Sequence, residues 1–134
     1  MSHKTDPGDE RPSYIVKLSK DHALSTFDCG KESPNTWLKR YALVNQQSDS
    51  AQTYVLHRKG VVIGYYALTA GSVRPDEAPG RVSKGLARHP IGIILLARLA
   101  IDKQEHGKGF GKALLKDALL RIAPFGVQPP RTAV

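Results

Sequence analysis

From Gln104 to Lys112 the chain reads Gln-Glu-His-Gly-Lys-Gly-Phe-Gly-Lys, between an apolar run and an amphipathic one. Glycines at a strand-to-helix turn let the backbone approach a ligand closely, and the free N–H groups of the first helical turn point at it. In outline this is an anion site. Lys108, Lys112 and Lys116 add a ladder at i, i+4 spacing that begins at the helix start, where the macrodipole disfavours each cation by roughly 0.3–1 kcal/mol. Cations held there imply a negative charge such as a phosphate. The lysines alone read better as a solvated helix face; lysines, glycines and the preceding apolar strand together favour anion binding.

Spacing narrows the ligand. A P-loop needs G-x-x-x-x-G-K-[ST], but Gly107 to Gly111 is one residue short and Ala113 stands where a hydroxyl would meet Mg²⁺. The dinucleotide fingerprint needs G-x-G-x-x-G after a first strand, whereas this G-x-G-x-G comes late in the chain with no βαβ unit after it. A nucleoside triphosphatase and a nicotinamide or flavin enzyme are both disfavoured. The pattern left is Gln-x-x-Gly-x-Gly, at Gln104, Gly107 and Gly109.

The flanking periodicity shows what must position this loop. Ile93 to Ile101 is a buried strand; the wider run from Ile91 is too short to cross a bilayer and contains Arg98. Phe110, Leu114, Leu115, Ala118, Leu119 and Ile122 make one apolar stripe and predict a helix over residues 108–123, stopped by Pro124. Thr53 to Leu56 and Val61 to Thr69 are β-rich and joined by Arg58-Lys59-Gly60, the chemistry of an antiparallel hairpin. Ser33-Pro34 starts a helix that runs to Gln47, with Trp37, Leu38, Tyr41, Val44 and Asn45 on its apolar side. Tyr14 to Leu18 is a short first strand, and residues 19–25 form a short helix. The five tyrosines fall on these elements and read as packing residues. Residues 71–90 form a long connection rich in Gly, Pro and basic side chains.

At 134 residues, 40% of them hydrophobic, the chain has the size and composition of one folded domain. That domain spans residues 13–123, after a disordered leader at 1–12 and before an irregular Pro-rich tail at 124–134. Its lone cysteine, Cys29, excludes a disulfide framework or a Cys-based zinc site, and the histidines lack metal-ligand spacing, so no metal is expected. The N-terminus has no apolar stretch of the signal-peptide kind, which points to the cytoplasm and away from the membrane. The net charge is +8. Since the first fifty residues are balanced, the whole excess lies beyond them and calls for an anionic partner.

Gln104, Gly107 and Gly109 resemble the [RQ]-x-x-G-x-[GA] pyrophosphate-binding motif of the GNAT superfamily of acetyl-CoA-dependent N-acetyltransferases. Outside the motif, Phe27-Asp28-Cys29-Gly30, Asn35-x-Trp37-Leu38, Tyr41-Ala42 and Gly64-Tyr65-Tyr66-Ala67-Leu68 resemble one branch of that superfamily. These are the acetyltransferase toxins of bacterial toxin-antitoxin pairs, which acetylate the amino group of aminoacyl-tRNA. The resemblance covers about residues 13–122. It implies an α/β (α+β) fold with a mixed central sheet flanked by helices, and acetyl-CoA as co-substrate. Leu99, Ala100 and Ile101 would pair with the pantetheine arm, and Gln104, His106, Gly107, Lys108, Gly109, Phe110, Gly111 and Lys112 would hold the pyrophosphate. Arg81, Lys84, Arg88 and His89 resemble the basic surface that meets tRNA. A ribbon-helix-helix antitoxin and aminoacyl-tRNA are the implied partners.

The family pattern continues after the last helix with a parallel strand, a helix carrying a catalytic tyrosine, and two final strands. Here the Pro-rich tail follows instead, so the fold is expected to be incomplete after that helix, the catalytic residue is unassigned, and activity is expected to be impaired. The apolar strand would then be an exposed edge prone to pairing with another chain, including a second copy in a homodimer. Two alternatives stay open: a non-catalytic remnant that binds antitoxin or RNA, and a generic small-molecule N-acetyltransferase.

Overall fold

The computed structural model describes residues 11–73 and 91–123. Arg81, Lys84, Arg88 and His89, most of the leader and the Pro-rich tail lie outside the described residues.

The hairpin at Lys59-Gly60 organises the sheet. Both turn residues take positive φ, 51° and 88°, which gives a two-residue turn the twist of its strands. The strands are β2 (Gln52–Arg58) and β3 (Val61–Val73), with Arg58 opposite Val61 and Tyr54 opposite Tyr66. A two-residue β1 (Val16–Lys17) pairs with β2, and β4 (Ile91–Ile101) pairs with β3. The order is β1-β2-β3-β4, every pair antiparallel. Helices complete the expected α/β layering. Among the described residues β4 has no strand on its outer side, and parallel pairing is limited to one bridge, Ala23 to Val61.

Adjacent β3 side chains feed two core layers, as strand alternation requires. Tyr65 packs with Phe27, Leu38, Ala42 and Val55 on one face, and Tyr66 packs with Leu56, Leu114 and Ala118 on the other. One bulge interrupts each long strand's alternation. Ile63 is the extra residue in β3, and Ala97 is the extra residue in β4, between the pairs Leu68–Leu96 and Ala67–Arg98. A bulge re-aims the side chains beyond it. Leu96 therefore packs on the Tyr66 face while Arg98 lies over Trp37 on the Tyr65 face.

The first helical stretch starts at Glu32 and has three parts: α1 (Glu32–Thr36), a π-helical turn (Trp37–Tyr41) and α2 (Ala42–Gln47). The Ala42 N–H reaches back five residues to the Trp37 carbonyl, so the helix phase slips there. Leu38 and Ala42 take the core positions, while Tyr41 and Val44, expected on the apolar side, are 49% and 60% exposed. Tyr14 also departs from the packing expectation and is exposed. Residues 19–25 are not a helix. So short a run cannot offset helix nucleation, and the Ser19 N–H bonds the His22 ring while Ala23 bridges β3.

The last helix, α3 (Phe110–Ile122), is two residues shorter at its start than the stripe suggested, because Gly109 is its left-handed N-cap. Phe110, Leu114, Ala118 and Ile122, spaced by four, face the sheet. Leu115 and Leu119 of the expected stripe are exposed. Tyr66 Oη donates to Asp117 Oδ2 at 2.6 Å, and Arg121 binds the same carboxylate oxygen and stacks over Tyr54, clamping α3 to the sheet. No helix of the described residues is long and apolar enough to cross a membrane.

Candidate anion and cofactor site

Strand β4 ends at Ile101, and the chain turns at once because Asp102 caps a single 3₁₀ turn (Lys103–Glu105) by accepting the Gln104 N–H at 2.9 Å. Gly107 and Gly109 then both adopt φ of 84°, a conformation costly for any residue with a Cβ. Two such residues swing the backbone so that α3 begins right beside the end of β4. The first intrahelical bond runs from the Ala113 N–H to the Gly109 carbonyl. The N–H groups of Phe110, Gly111 and Lys112 come before it and have no intrahelical acceptor.

Phe110 and Gly111 of this first turn line a cavity of about 390 Å³. Leu99, Ala100, Ile101, His106, Gly107, Gly109, Phe110 and Gly111 line one side, and Cys29, Lys31 and Pro34 the other. Eight of the sequence-derived cofactor residues are thus brought together around one hollow. Gln104, Lys108 and Lys112 are not among its lining. Gln104 faces a neighbouring hollow with Asp28 and Asp102, Lys108 pairs with Glu105 at 3.0 Å, and Lys112 is exposed on the first turn of α3.

Glu105 also reaches the cavity, and its second carboxylate oxygen pairs with Arg58. Burial works to raise the Glu105 pKa, but hydrogen bonds and charge from Arg58 and Lys108 outweigh it and hold the carboxyl below its ordinary value. Arg58 further lies 5.9 Å from the Phe110 ring centre. One guanidinium from the hairpin therefore braces both the turn and the start of α3. His106 Nε2 donates to the Ile101 carbonyl at 2.9 Å, which folds the ring back on the strand end.

The opposite wall is held by a second set of bonds. The Asp28 N–H donates to Asp102 Oδ2, the Lys103 N–H donates to the Asp28 carbonyl, and Asn35 bonds both the Cys29 N–H and Asp28 Oδ1. Asp28 is pulled down to about 2 by the Gly30 N–H, then the Asn35 amide, then Lys103. These bonds place Cys29 and Lys31 across from the glycine turn. Glycine spacing could not identify that wall; the only sequence signal for it was the Phe27-Asp28-Cys29-Gly30 string.

An antiparallel sheet whose last strand passes through a glycine turn into a helix, with a cavity at the junction, is the arrangement this chain shares with solved toxin structures of the AtaT type. The chain is similar in sequence to proteins named as a tRNA-acetylating toxin and a probable TacT toxin. It is 39% identical over 105 residues to a tRNA-acetylating toxin of Mycobacterium tuberculosis (strain ATCC 25618 / H37Rv), a match covering 78% of this chain and 63% of the relative. It is 30% identical over 110 residues to the probable toxin TacT of Sinorhizobium fredii (strain NBRC 101917 / NGR234), covering 80% and 61%. The match thus spans less than two thirds of either relative's length. Among solved structures, AtaT complexed with acetyl-methionyl-tRNAfMet superposes with a TM-score of 0.69 at 27% identity, over 85% of this chain and 69% of that one. A variant of AtaT bound to acetyl-CoA and the C-terminus of the antitoxin AtaR gives 0.65 at 29% identity, over 81% and 64%. No protein-family model matches the chain.

Proposed function

We propose that this chain works as an acetyl-CoA-dependent N-acetyltransferase of the toxin kind, with the amino group of aminoacyl-tRNA as acceptor. The observation that carries this reading is the pair of left-handed glycines, Gly107 and Gly109, which open the N-terminus of α3 onto a cavity walled by Leu99 to Ile101. The residues fit a coenzyme A ester. A Cβ at either glycine would meet nothing within 4 Å, so space for a ligand lies above the turn. The first-turn N–H groups supply donors for a pyrophosphate, and Lys112 adds charge. The outer edge of β4 offers extended backbone to the amide-bearing arm. Glu105, the acid at the cavity, is neutralised by Arg58 and Lys108.

Bound acetyl-CoA supplies an activated acyl thioester. The residues of this chain would orient it: Leu99, Ala100 and Ile101 would hold the arm, while His106, Gly107, Gly109, Phe110 and Gly111 would surround the phosphate end. Neither Tyr65 nor Tyr66 takes the role of proton donor to the thiolate. Their hydroxyls are committed to the Pro34 carbonyl and Asp117, and burial raises both pKa values. Arg81, Lys84, Arg88 and His89 contact RNA phosphates in this reading, and a ribbon-helix-helix antitoxin and a second copy of the chain are its protein partners, in the cytoplasm.

The test is calorimetry with coenzyme A alongside transfer of labelled acetyl from acetyl-CoA to aminoacyl-tRNA. Saturable coenzyme A binding and acetylation of charged but not deacylated tRNA are expected. Absence of coenzyme A binding would overturn the reading. Binding without transfer would retain the cofactor site and remove the catalytic claim.

A further inference from the structure

Among the described residues that line the cavity at the end of β4, Glu105 is the one carboxylate, and it sits in the turn between the strand and the two glycines. An unpaired acid there would repel any phosphate-bearing ligand. Two cations occupy its two oxygens: Arg58 pairs with Oε2, and Lys108 Nζ lies 3.0 Å from Oε1. We propose that Glu105 is an internal competitor for Lys108. It holds that ammonium off the cavity in the free protein and yields it to a phosphate of the coenzyme A ester on binding, while Arg58 keeps the carboxylate neutralised. The inference rests on the cofactor reading above and adds to it a residue that sets affinity.

The two cations are held unequally. The Arg58 side chain is 23% exposed, carries a planar donor fork that matches a carboxylate, and lies 5.9 Å from the Phe110 ring centre. The Lys108 side chain is 50% exposed. An ion pair so open to water is weak, equivalent to a preference of at most about fivefold. Two cations against one anion leave a positive charge over, so the trio can lose Lys108 and still leave Glu105 paired.

Position suits Lys108 to the exchange. It stands between Gly107 and Gly109, both at φ of 84°, and both of those glycines line the cavity while Lys108 does not. Its backbone is therefore already beside the ligand, and rotation of its long stem is enough to move the charge. An ammonium is a compact charge with three donors that serves a phosphate as well as a carboxylate. Phosphate oxygens offer it a full negative charge, whereas that of Glu105 is already offset by Arg58, so the exchange runs towards the ligand.

This arrangement has a sign that a merely structural salt bridge lacks. Neutralising Glu105 and neutralising Arg58 break the same ion pair, yet the first frees Lys108 and the second leaves it as the counter-ion of a carboxylate whose side chain is only 12% exposed. Cofactor affinity should move in opposite directions.

The experiment is calorimetric titration of coenzyme A into the 134-residue chain and its variants, with thermal melts to report that each is folded. Glu105→Gln should bind about two- to fivefold more tightly than the wild type, and Arg58→Gln more weakly by a similar factor. Lys108→Met should also bind more weakly. In the Lys108→Met background the gain from Glu105→Gln should vanish, because the ammonium it releases is gone. Unchanged or weaker binding by folded Glu105→Gln, wild-type affinity in Lys108→Met, or an equal gain from Glu105→Gln with and without Lys108 would each overturn the proposal while leaving the cofactor site standing. Failure of the wild type to bind coenzyme A would instead defeat the cofactor reading, and this inference with it.

Discussion

Asp102 Oδ2 accepts the backbone N–H of Asp28 at 3.1 Å, joining positions 74 apart in sequence. The other carboxylate oxygen caps the turn that leads to the glycines. One side chain thus fixes both walls of the cavity at the end of β4. Asp102→Ala leaves two backbone donors without their acceptor and should cost about 1–3 kcal/mol of stability. Urea denaturation reads that loss, and calorimetry should show weaker coenzyme A binding. Asp102→Asn, which keeps one acceptor, should fall between.

Acid should loosen the same wall. The folded pKa of Asp28 is about 2, below its ordinary value of 3.8, because the Gly30 N–H, Asn35 and Lys103 all favour the carboxylate. Its stabilising contribution is therefore full above pH 4 and lost as pH falls from about 4 towards 2. Denaturant midpoints measured across that window should fall less steeply for Asp28→Asn than for the wild type.

Glycine 109 can be separated from the general strain of a left-handed residue. Gly109→Ala and Gly60→Ala both put a Cβ on a backbone with φ near 85–90° and should each destabilise by about 1–2 kcal/mol. Only Gly109→Ala should weaken coenzyme A binding, since Gly60 sits in the hairpin turn away from the cavity. Equal losses of affinity in the two variants would remove the turn from the site.

At the alkaline end, Tyr66 titrates against the α3 face. Burial first, then the bond to Asp117, raises its pKa above 10. A raised tyrosine is stabilising in its neutral form, so the contribution is intact below pH 10 and declines as pH rises beyond it. Tyr66→Phe should be less stable at pH 7 by about 0.5–1.5 kcal/mol for the lost hydrogen bond. Thermal melts from pH 9 to 11 should show a shallower decline for that variant.

The hairpin turn carries a titration of its own. His57 Nδ1 accepts the Gly60 N–H, and the ring lies 4.8 Å from that of His22. Desolvation, then the charge of His22, lowers the His57 pKa. Stability from the neutral ring is present above pH 6.5 and lost as pH falls below it. Hydrogen exchange should show the Gly60 amide opening faster at pH 5.5 than at pH 7.5 after correction for intrinsic rates, and His57→Gln should flatten that difference.

Local chemistry was legible before any fold was known. The glycine turn, the helix after it, the Lys59-Gly60 hairpin and the apolar strand each depend on residues close in sequence, and each appears where periodicity and turn propensity place it. Eight residues from Leu99 to Gly111 that the sequence groups together line one cavity, since one continuous segment supplies them. Errors arose where backbone phase changes. The π-helical turn moved Tyr41 and Val44 outward, and a stripe drawn through Leu115 and Leu119 was wider than the face that meets the sheet.

Residue order, then, specified a glycine turn and the strand and helix around it, because glycine conformation, proline stops and apolar period are properties of neighbouring residues. Tertiary structure alone decided the opposite wall at Cys29, Lys31 and Pro34, the bracing of Glu105 by Arg58, and the side of the sheet on which Arg98 stands. Those outcomes depend on contacts between distant segments and on a one-residue bulge. Each is a small local change whose effect on direction appears only once strands and helices are packed together.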